Sequence, residues 1–348
     1  MMQKISLKND YSQGAHPALL RAIEDLGTEV YAPYGYDRLS DEARRLIRHT
    51  AGLDEAPVYF ISGATQANRL VIHHLLKPFE AVISAETGHI QHHETGAIEA
   101  AGRKILTMPP HEGKVTVEGI RRVLDNHTNY PHVVRPRMVY ISQATETGTA
   151  YSAEELERLS SFCRANGLYL FADGARLGAA VAGGGASLQQ LARTADVFTI
   201  GGTKNGGLCG EAIVFARPDL AGGFDFLLKQ YGALLAKGFV LGAQFKAFFT
   251  GGLYFDLAAR AVEAARRIGE IFRQHGYELA YPVQSNLVFP VVPAPVVKEL
   301  ERAFEFYVWD TLPGDRHILR LVTTWATPGA HLDMLDEMLS RIKKNRIV

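Results

Sequence analysis

Short apolar runs alternate with stretches of helical period between residues 58 and 200 of the chain. An unbroken apolar run of roughly four to eight residues is typical of a buried strand, whereas apolar positions three and four residues apart predict a helix. The predicted strands are 58–62, 81–84, 104–107, 138–142, 168–172 and 196–200, and the predicted helices are 66–77, 116–125 and 153–166. Strands separated by helices need crossover connections, so we expect an α/β fold with a mainly parallel central sheet and helices on both faces.

The pattern changes beyond Pro218. A long helical region reaches about Arg273, with glycines 238, 242, 251 and 252 as its expected breaks. Strand-like runs follow at 287–289, 304–308 and 318–322, and a final helix is expected from about His331. We therefore predict a large domain over residues 1–245, including an N-terminal arm rich in tyrosine and glycine, and a small C-terminal α+β domain over residues 246–348.

Composition narrows the class of protein. The 348 residues include 37 Lys and Arg against 37 Asp and Glu, so no net charge attracts nucleic acid or an anionic membrane. Two cysteines cannot form a disulfide framework, and neither a signal peptide nor an apolar run of about 18 residues is visible. We expect a soluble cytoplasmic protein that binds neither nucleic acid nor a membrane.

Two short motifs carry the candidate chemistry. Asp173 follows the predicted strand 168–172, and Lys204 lies 31 residues later in a glycine-rich turn. A lysine amine can hold the aldehyde of pyridoxal phosphate as a Schiff base, and a carboxylate can keep the pyridine nitrogen protonated. The alternatives are a helix cap for Asp173 and an exposed loop lysine for Lys204. The pair in this order favours a cofactor site.

Seven segments in this order resemble the threonine aldolases, pyridoxal phosphate enzymes of fold type I, the aspartate aminotransferase type. The segments are Asn9–Asp10, Tyr34–Asp37, Gly63–Asn68, Gly88–Glu94, Asp173–Leu177, Thr203–Gly206 and Leu319–Trp325. The forms at 143–146 and 203–206 are most similar to the phenylserine aldolase and low-specificity L-threonine aldolase branch. The resemblance implies cleavage of L-threonine, L-allo-threonine or a related β-hydroxy-α-amino acid, such as phenylserine, to glycine and an aldehyde.

The resemblance also implies roles for individual residues. Lys204, His89 and Asp173 would be catalytic, with His89 stacked on the cofactor ring and able to move the β-hydroxyl proton. The first turn of a helix would bind the phosphate through its backbone N–H groups. Lys229 and Lys237 would reach the cofactor phosphate of a neighbouring subunit. The full set implied for the cofactor is Gly63, Ala64, Thr65, His89, Asp173, Arg176, Lys204, Lys229 and Lys237.

A second set is implied for the substrate. Arg320 would hold its α-carboxylate through a guanidinium fork. The implied substrate-binding residues are Asn9, Tyr34, Thr145, Arg176 and Arg320. Asn9 replaces a serine of the family and Thr145 a histidine, and because threonine is a poor base, proton transfer would fall on His89 or on water. These departures leave the preference for the β-substituent open.

Other interpretations remain open. His89, His92, His93 and Glu94 suggest zinc, but their spacing suits neither a structural cluster nor a pair on one helix face, so we expect no metal. The same fold supports other reactions, and a β-eliminating lyase acting on serine or cysteine derivatives is the main alternative. A non-catalytic carrier of pyridoxal phosphate is another. The resemblance implies a homodimer or homotetramer with its sites at the dimer interface.

Overall fold

The computed structural model describes residues 4–344. The strands are β1 (Ile5–Ser6), β2 (Val58–Ile61), β3 (Glu80–Ala85), β4 (Lys104–Met108), β5 (Arg135–Ser142), β6 (Tyr169–Asp173), β7 (Val197–Gly201), β8 (Glu211–Phe215), β9 (Leu287–Val288), β10 (Val291–Pro293), β11 (Phe304–Glu305), β12 (Tyr307–Leu312) and β13 (Arg316–Val322). The helices are α1 (Pro17–Glu24), α2 (Arg38–Ala51), α3 (Ala64–Leu75), α4 (His89–His92), α5 (Ala97–Ala100), α6 (Val117–Asp125), α7 (Ala153–Ala165), α8 (Leu177–Ala182), α9 (Leu188–Thr194), α10 (Phe224–Gln230), α11 (Phe239–Phe249), α12 (Leu253–Gln274), α13 (Ala294–Leu300) and α14 (Gly329–Lys344).

A seven-stranded sheet forms the centre of the molecule, in the order β2-β8-β7-β6-β5-β3-β4. Strands β3 to β7 are parallel to their neighbours in this set, whereas β8 is antiparallel to both β2 and β7. The predicted α/β fold with a mainly parallel sheet is confirmed. The apolar run of β8 was missed, because it follows the glycine-rich turn of Lys204 so closely.

Helices cover both faces of the sheet. On one face, strand residues pack with Ile47 of α2, Leu156 of α7 and Phe245 of α11. On the other face they pack with Val71 of α3 and Phe224 of α10. Because these two cores bury both faces of the sheet, the ends of the strands are where polar side chains can gather. None of the helices formed by residues 4–344 is both long and apolar enough to cross a membrane.

The C-terminal part builds a smaller sheet in the order β10-β13-β12, with β9 also paired to β13. Helices α12, α13 and α14 contribute Phe272, Leu300 and Leu339 to its core. The predicted strand 304–308 is in fact two strands. The first, β11, pairs with β1 of the N-terminal arm, and the second, β12, pairs with β13.

Two expectations about breaks and ends need correction. Gly242 does not break a helix, since it lies inside α11, where an added Cβ would collide with Ser40 of α2. It allows the two helices to pack closely. Gly238 and Gly252 do stand at the starts of α11 and α12, as predicted. The final helix begins at Gly329, and the boundary predicted at 245/246 falls within α11 and stays a prediction.

Candidate active site

The carboxyl ends of three neighbouring strands bring polar residues together. β5 ends at Ser142, β6 at Asp173 and β7 at Gly201, and the three strands are adjacent in the sheet. Sheets of this type bind ligands beyond the carboxyl ends of their strands. This edge is therefore the candidate active site.

Asp173 is a buried carboxylate at this edge. Its Oδ2 accepts a hydrogen bond from Tyr140 Oη at 2.7 Å and another from Asn68 Nδ2 at 2.8 Å. Burial raises the pKa of Asp173, but the charge of His89 and the hydrogen bond from Asn68, with further neighbours, bring it below its ordinary value. Asp173 is therefore held as an anion that can pair with a cationic group of a ligand.

A chain of hydrogen bonds connects Asp173 to His89. The same Asn68 amide nitrogen donates to Glu94 Oε1 at 2.7 Å. Glu94 Oε1 lies 2.9 Å from His89 Nδ1, and burial raises the pKa of Glu94. In the tautomer of His89 whose Nδ1–H donates a hydrogen bond to Glu94 Oε1, the other ring nitrogen, Nε2, carries no proton and can accept one from a ligand.

The same residues could be taken for a metal site. One ligand-type atom each from His89, Glu94 and Asp173 lie within 4.8 Å of one another, and His92 and His93 are not members of this group. The Asn68 amide, however, donates hydrogen bonds to both carboxylates. An amide N–H₂ between two carboxylates fills the role that a cation would have, so the geometry favours a hydrogen-bonded chain.

Glycines in both motifs let the ends of β6 and β7 approach closely. An added Cβ on Gly174 would collide with the carbonyl oxygen of Thr199, and one on Gly201 would collide with the backbone of Ala175. Gly174 N–H donates to Thr199 Oγ1 at 2.8 Å, and Gly201 N–H donates to the Gly174 carbonyl at 2.9 Å. These glycines therefore set the spacing between the two motifs.

Lys204 lies in a short 3₁₀ turn, Thr203–Asn205, directly after β7. Burial and the positive charge of Arg176 lower the pKa of Lys204. Its amine is therefore neutral, and so nucleophilic, more often than that of an exposed lysine. Glu211 begins β8 opposite Gly201, and burial raises the pKa of its carboxyl group to about 8.

Arg176 forms a two-point ion pair with Asp10 of the N-terminal arm. Nε donates to Oδ2 at 2.7 Å and Nη2 to Oδ1 at 3.0 Å. Asn286 of the C-terminal part donates to the same carboxylate at 2.9 Å. Burial raises the pKa of Asp10, but the charges of Arg176 and Lys204 bring it below its ordinary value. The arm, the central sheet and the C-terminal part therefore meet at this pair.

Arg320, on β13, lies near this ion pair. Its Nη1 donates to the Lys8 carbonyl at 3.4 Å, and its Nε is buried without a hydrogen-bond partner among residues 4–344. Burial and the positive charge of Arg176 lower the pKa of Arg320 to about 10. A guanidinium group with an unused buried donor, close to a second cation, is suited to bind a carboxylate.

The N-terminus of α3 opens on a cavity of about 430 Å³, which Gly63, Ala64 and Thr65 line. Gly63 gives this 12-residue helix no side-chain cap. The first N–H groups of a helix have no partner within it, and the helix dipole favours an anion there. The three residues predicted to bind a phosphate therefore stand together at a place that suits one.

In the structure, the side chain of Asn9 forms a hydrogen bond with the backbone of its own segment. Its Oδ1 accepts from the backbone N–H of Tyr11 at 3.1 Å, and Asn9 lines a cavity of about 380 Å³ beside Thr324. Its neighbour Asp10 is the arm residue that contacts Arg176. A contact between Asn9 and a substrate carboxylate stays a prediction.

Thr145 is buried in a turn, and its hydroxyl lies 2.7 Å from that of Thr149. The next residue, Glu146, faces the site instead. Its Oε1 accepts hydrogen bonds from Ser142 Oγ at 2.6 Å and from the backbone N–H of His89 at 3.0 Å. Thr145 therefore stabilises the turn that positions Glu146. Glu146 in turn accepts a hydrogen bond from the backbone N–H of His89, the first residue of α4.

Tyr34, Lys229 and Lys237 form a separate group. Lys229 Nζ lies 4.4 Å from the centroid of the Tyr34 ring, and Lys237 is exposed. Tyr34 lines a cavity of about 260 Å³ with Tyr36 and other residues near α10. Among residues 4–344, the lining of this cavity includes neither Lys204 nor Asp173.

Sequence reasoning missed several residues of the site. Asn68 lay inside a quoted motif without a role, and Glu94 was considered only as a possible zinc ligand. Glu211 carries a visible signal, a charged residue that opens an apolar run. Tyr140 and Asn286 have no such signal. They reach Asp173 and Asp10 only because distant parts of the chain meet.

Comparison with known proteins identifies the family. The profile of the beta-eliminating lyase family matches residues 20–345. The chain belongs to the beta-eliminating lyase family. Its relatives include the low specificity L-threonine aldolase of Pseudomonas sp. (strain NCIMB 10558), which is 33% identical over 340 residues, 95% of each chain. The protein of the same name from Pseudomonas aeruginosa is 34% identical over 307 residues, 86% of this chain and 88% of that one.

Solved structures agree with this family. A Leishmania major threonine aldolase superposes with a TM-score of 0.95 at 40% identity, covering 97% of this chain and 99% of that one. The resemblance to threonine aldolases is therefore confirmed. Aspartate aminotransferase from Thermus thermophilus gives a TM-score of 0.72 at 17% identity, over 97% of this chain and 91% of that one. The latter likeness shows the fold alone, which is the predicted fold type.

Proposed function

We propose that the chain is a pyridoxal phosphate-dependent aldolase that cleaves β-hydroxy-α-amino acids to glycine and an aldehyde. Its substrates would be L-threonine, L-allo-threonine or related compounds such as phenylserine. The observation that carries the proposal is the hydrogen-bonded chain from Asp173 through Asn68 and Glu94 to His89, together with the half-buried Lys204, whose pKa is lowered. Because the charges of His89 and Lys204 both act on Asp173, these residues would supply an anion, a proton acceptor and a nucleophilic amine to one site.

The residues present fit the cofactor. Asp173, held as an anion, would pair with the protonated ring nitrogen, and Lys204 would bond to the aldehyde carbon. The free N–H groups at Gly63, Ala64 and Thr65 would bind the phosphate. When bound, the cofactor would accept the electron pair that is released as the Cα–Cβ bond breaks.

His89 would remove the proton from the β-hydroxyl oxygen, directly or through water. Glu94 orients the ring through Nδ1, which directs Nε2 toward the site. Because Glu94 is itself held by Asn68, the position of the base is tied to the position of Asp173. Removal of the hydroxyl proton lets the carbonyl of the departing aldehyde form.

The substrate carboxylate would bind at Arg320 and Arg176. Arg320 has the unused donor Nε, whereas Arg176 is held in place by Asp10. An α-carboxylate fixed at this point turns the Cα–Cβ bond of the substrate relative to the cofactor ring, which decides which bond breaks. We propose that Asn9 contributes a further hydrogen bond at the mouth of the site.

The proposed assembly is a homodimer or homotetramer in which Tyr34, Lys229 and Lys237 reach the site of a neighbouring subunit. The support is that Lys229 lies over the Tyr34 ring and that Lys204 and Asp173 are not among the described residues that line the cavity beside Tyr34. We also propose that the enzyme is cytoplasmic, on the grounds of its two free cysteines.

The test is to mix the purified protein with L-threonine, L-allo-threonine and phenylserine and to measure aldehyde and glycine together. We expect equimolar release of both, lost in Lys204→Ala. Pyruvate and ammonia from serine or a cysteine derivative, without aldehyde from any of the three substrates, would instead favour the β-eliminating alternative. A protein that binds the cofactor but converts neither class would be a carrier.

A further inference from the structure

Arg69, on α3, lines the cavity at the start of its own helix. Among the described residues that line this cavity of about 430 Å³, it is the one with a charged side chain. Its Cζ lies 4.6 Å from the centroid of the Tyr231 ring, and its Nε is buried without a hydrogen-bond partner among residues 4–344. A buried hydrogen-bond donor without an acceptor is energetically unfavourable. A ligand oxygen that accepts a hydrogen bond from this guanidinium group would remove that cost.

Helix geometry directs this side chain toward the first turn. Side chains on a helix lean toward its N-terminus, and Arg69 shares a face with Thr65 and Gln66. Arg69 follows Ala64 by five positions, about 7.5 Å along the axis, which is close to the length of an arginine side chain. Arg69 therefore lines the same cavity as Gly63, Ala64 and Thr65 at the start of the helix.

We propose that Arg69 binds the 5′-phosphate of the cofactor and makes the chain select pyridoxal phosphate over unphosphorylated pyridoxal. The proposal rests on the proposed function, since it needs the cofactor to occupy this site. A phosphate monoester carries about −1.5 to −2 charges at neutral pH. The end of a helix supplies only about half a positive charge. Arg69 supplies a full charge and a planar pair of donors that match phosphate oxygens.

The test compares cofactor binding with and without the phosphate. Protein freed of cofactor is titrated with pyridoxal phosphate and with pyridoxal, and the absorbance of the lysine-bound form gives both dissociation constants. For Arg69→Ala we expect affinity for pyridoxal phosphate to fall about tenfold to a hundredfold, the range for a lost charge-assisted hydrogen bond. Affinity for pyridoxal should change less than about twofold, and Arg69→Lys should lie between wild type and alanine. Arg122→Ala, an exposed arginine of α6, is the control and should match wild type.

The outcomes separate this proposal from the proposed function. An equal loss of affinity for both compounds in Arg69→Ala would mean that Arg69 only packs against Tyr231, and the proposal would be wrong. Wild-type protein that binds neither compound would overturn the proposed function instead. If Arg69→Ala does not fold, Arg69→Met carries the same comparison, because it keeps an apolar stem over Tyr231. Inorganic phosphate should slow cofactor binding to wild type more than to either neutral variant, and an equal effect on all three proteins would contradict the role of Arg69.

Discussion

At the scale of single residues, the amide of Asn68 separates two buried carboxylates. Its nitrogen donates to Glu94 at 2.7 Å and to Asp173 at 2.8 Å. In Asn68→Ala both acceptors lose this partner, and two buried groups of like charge then face each other. We expect a loss of about 2–3 kcal/mol in the free energy of unfolding, measured by urea denaturation, because unsatisfied buried groups are costly.

Asn129→Ala is the matched control for this prediction. Asn129 is exposed in a loop, so its removal should leave the unfolding free energy within about 0.5 kcal/mol of wild type. The same two proteins should differ in cofactor affinity, because Asn68 also fixes the position of Asp173. Unchanged stability and affinity in Asn68→Ala would show that the hydrogen-bonded chain has no energetic importance.

Glu211 leads to a prediction of how the free energy of unfolding depends on pH. Its side chain is 2% exposed, and burial raises the pKa of its carboxyl group to about 8 from the ordinary 4.5. Below the unfolded pKa the group is protonated in both states. Between the two pKa values the unfolded chain loses a proton that the folded chain keeps, so this group makes folding less favourable as pH rises. Glu211→Gln removes this dependence.

We therefore expect cofactor-free Glu211→Gln to gain stability relative to wild type as the pH rises from about 5.5 to 7.5, by about 2 kcal/mol. Denaturant unfolding at several pH values measures the difference. Glu157→Gln, an exposed glutamate of α7, should show no such trend. A gap between Glu211→Gln and wild type that stays constant with pH would mean that Glu211 ionises as an ordinary glutamate.

The candidate site was only partly predictable at this scale. Lys204, Asp173, His89 and Arg176 stand in short motifs, so their chemistry is visible in the order of residues. The residues that shift the pKa values of this group and fix their positions are not visible in that order. Tyr140 looks like any residue of an apolar strand until it is seen to donate to Asp173. The sequence spacing of such partners carries no information about their distance in space.

At the scale of elements, Gly174 controls how closely the ends of β6 and β7 can meet. An added methyl group would collide with the carbonyl of Thr199, a backbone atom that cannot rotate away. Gly174→Ala should therefore separate the strand ends and move Asp173 relative to Lys204. We expect a destabilisation of about 1–3 kcal/mol, typical of overpacking, and a clear loss of cofactor affinity.

The control for this change is Gly222→Ala. An added Cβ on Gly222 meets no atom within 4 Å, and its φ of −56° suits any residue. It should fold and bind cofactor as wild type does. Cofactor titration and thermal unfolding of both variants test the idea, and a Gly174→Ala protein that resembles Gly222→Ala in both measurements would refute it.

Helices and strands were predicted correctly where an apolar run by itself indicates a strand. They were predicted incorrectly where packing against distant residues decides the local structure. The six strands predicted between residues 58 and 200 all lie in the central sheet. Gly242, in contrast, was expected to end a helix, because glycine is a weak helix former. Its role depends on Ser40, which lies about two hundred positions earlier in the chain and packs against it.

At the scale of the whole molecule, the N-terminal arm joins parts that are distant in sequence. Its strand β1 pairs with β11, and its Asp10 holds both Arg176 and Asn286. The two arginines that we propose to bind the substrate carboxylate, Arg176 and Arg320, thus lie where the two parts of the chain meet. A movement between the parts would change the distance from Arg320 to Arg176, so under the proposed function substrate binding would depend on the packing of the arm.

The last prediction concerns the assembly of subunits through the surface near Tyr34. Phe226 of α10 is 83% exposed and Tyr36 is also exposed, so this surface offers two large aromatic side chains to a partner. If this surface meets a second copy, Phe226→Glu would bury a charge at the contact and oppose association. We expect wild type to sediment as a dimer or tetramer at micromolar concentration and Phe226→Glu to weaken that association at least about tenfold, the effect of 1.4 kcal/mol.

Tyr130→Glu is the control, because Tyr130 is 90% exposed in a loop before β5 and should tolerate the charge. If Lys229 and Tyr34 complete a neighbour's site, Phe226→Glu should lose cofactor affinity and regain it at high protein concentration, since dimers then re-form. A monomeric wild type with full cofactor affinity would contradict a shared site. Equal weakening by both variants would place the contact elsewhere on the surface, and the roles proposed for Tyr34 and Lys229 would then lose their support.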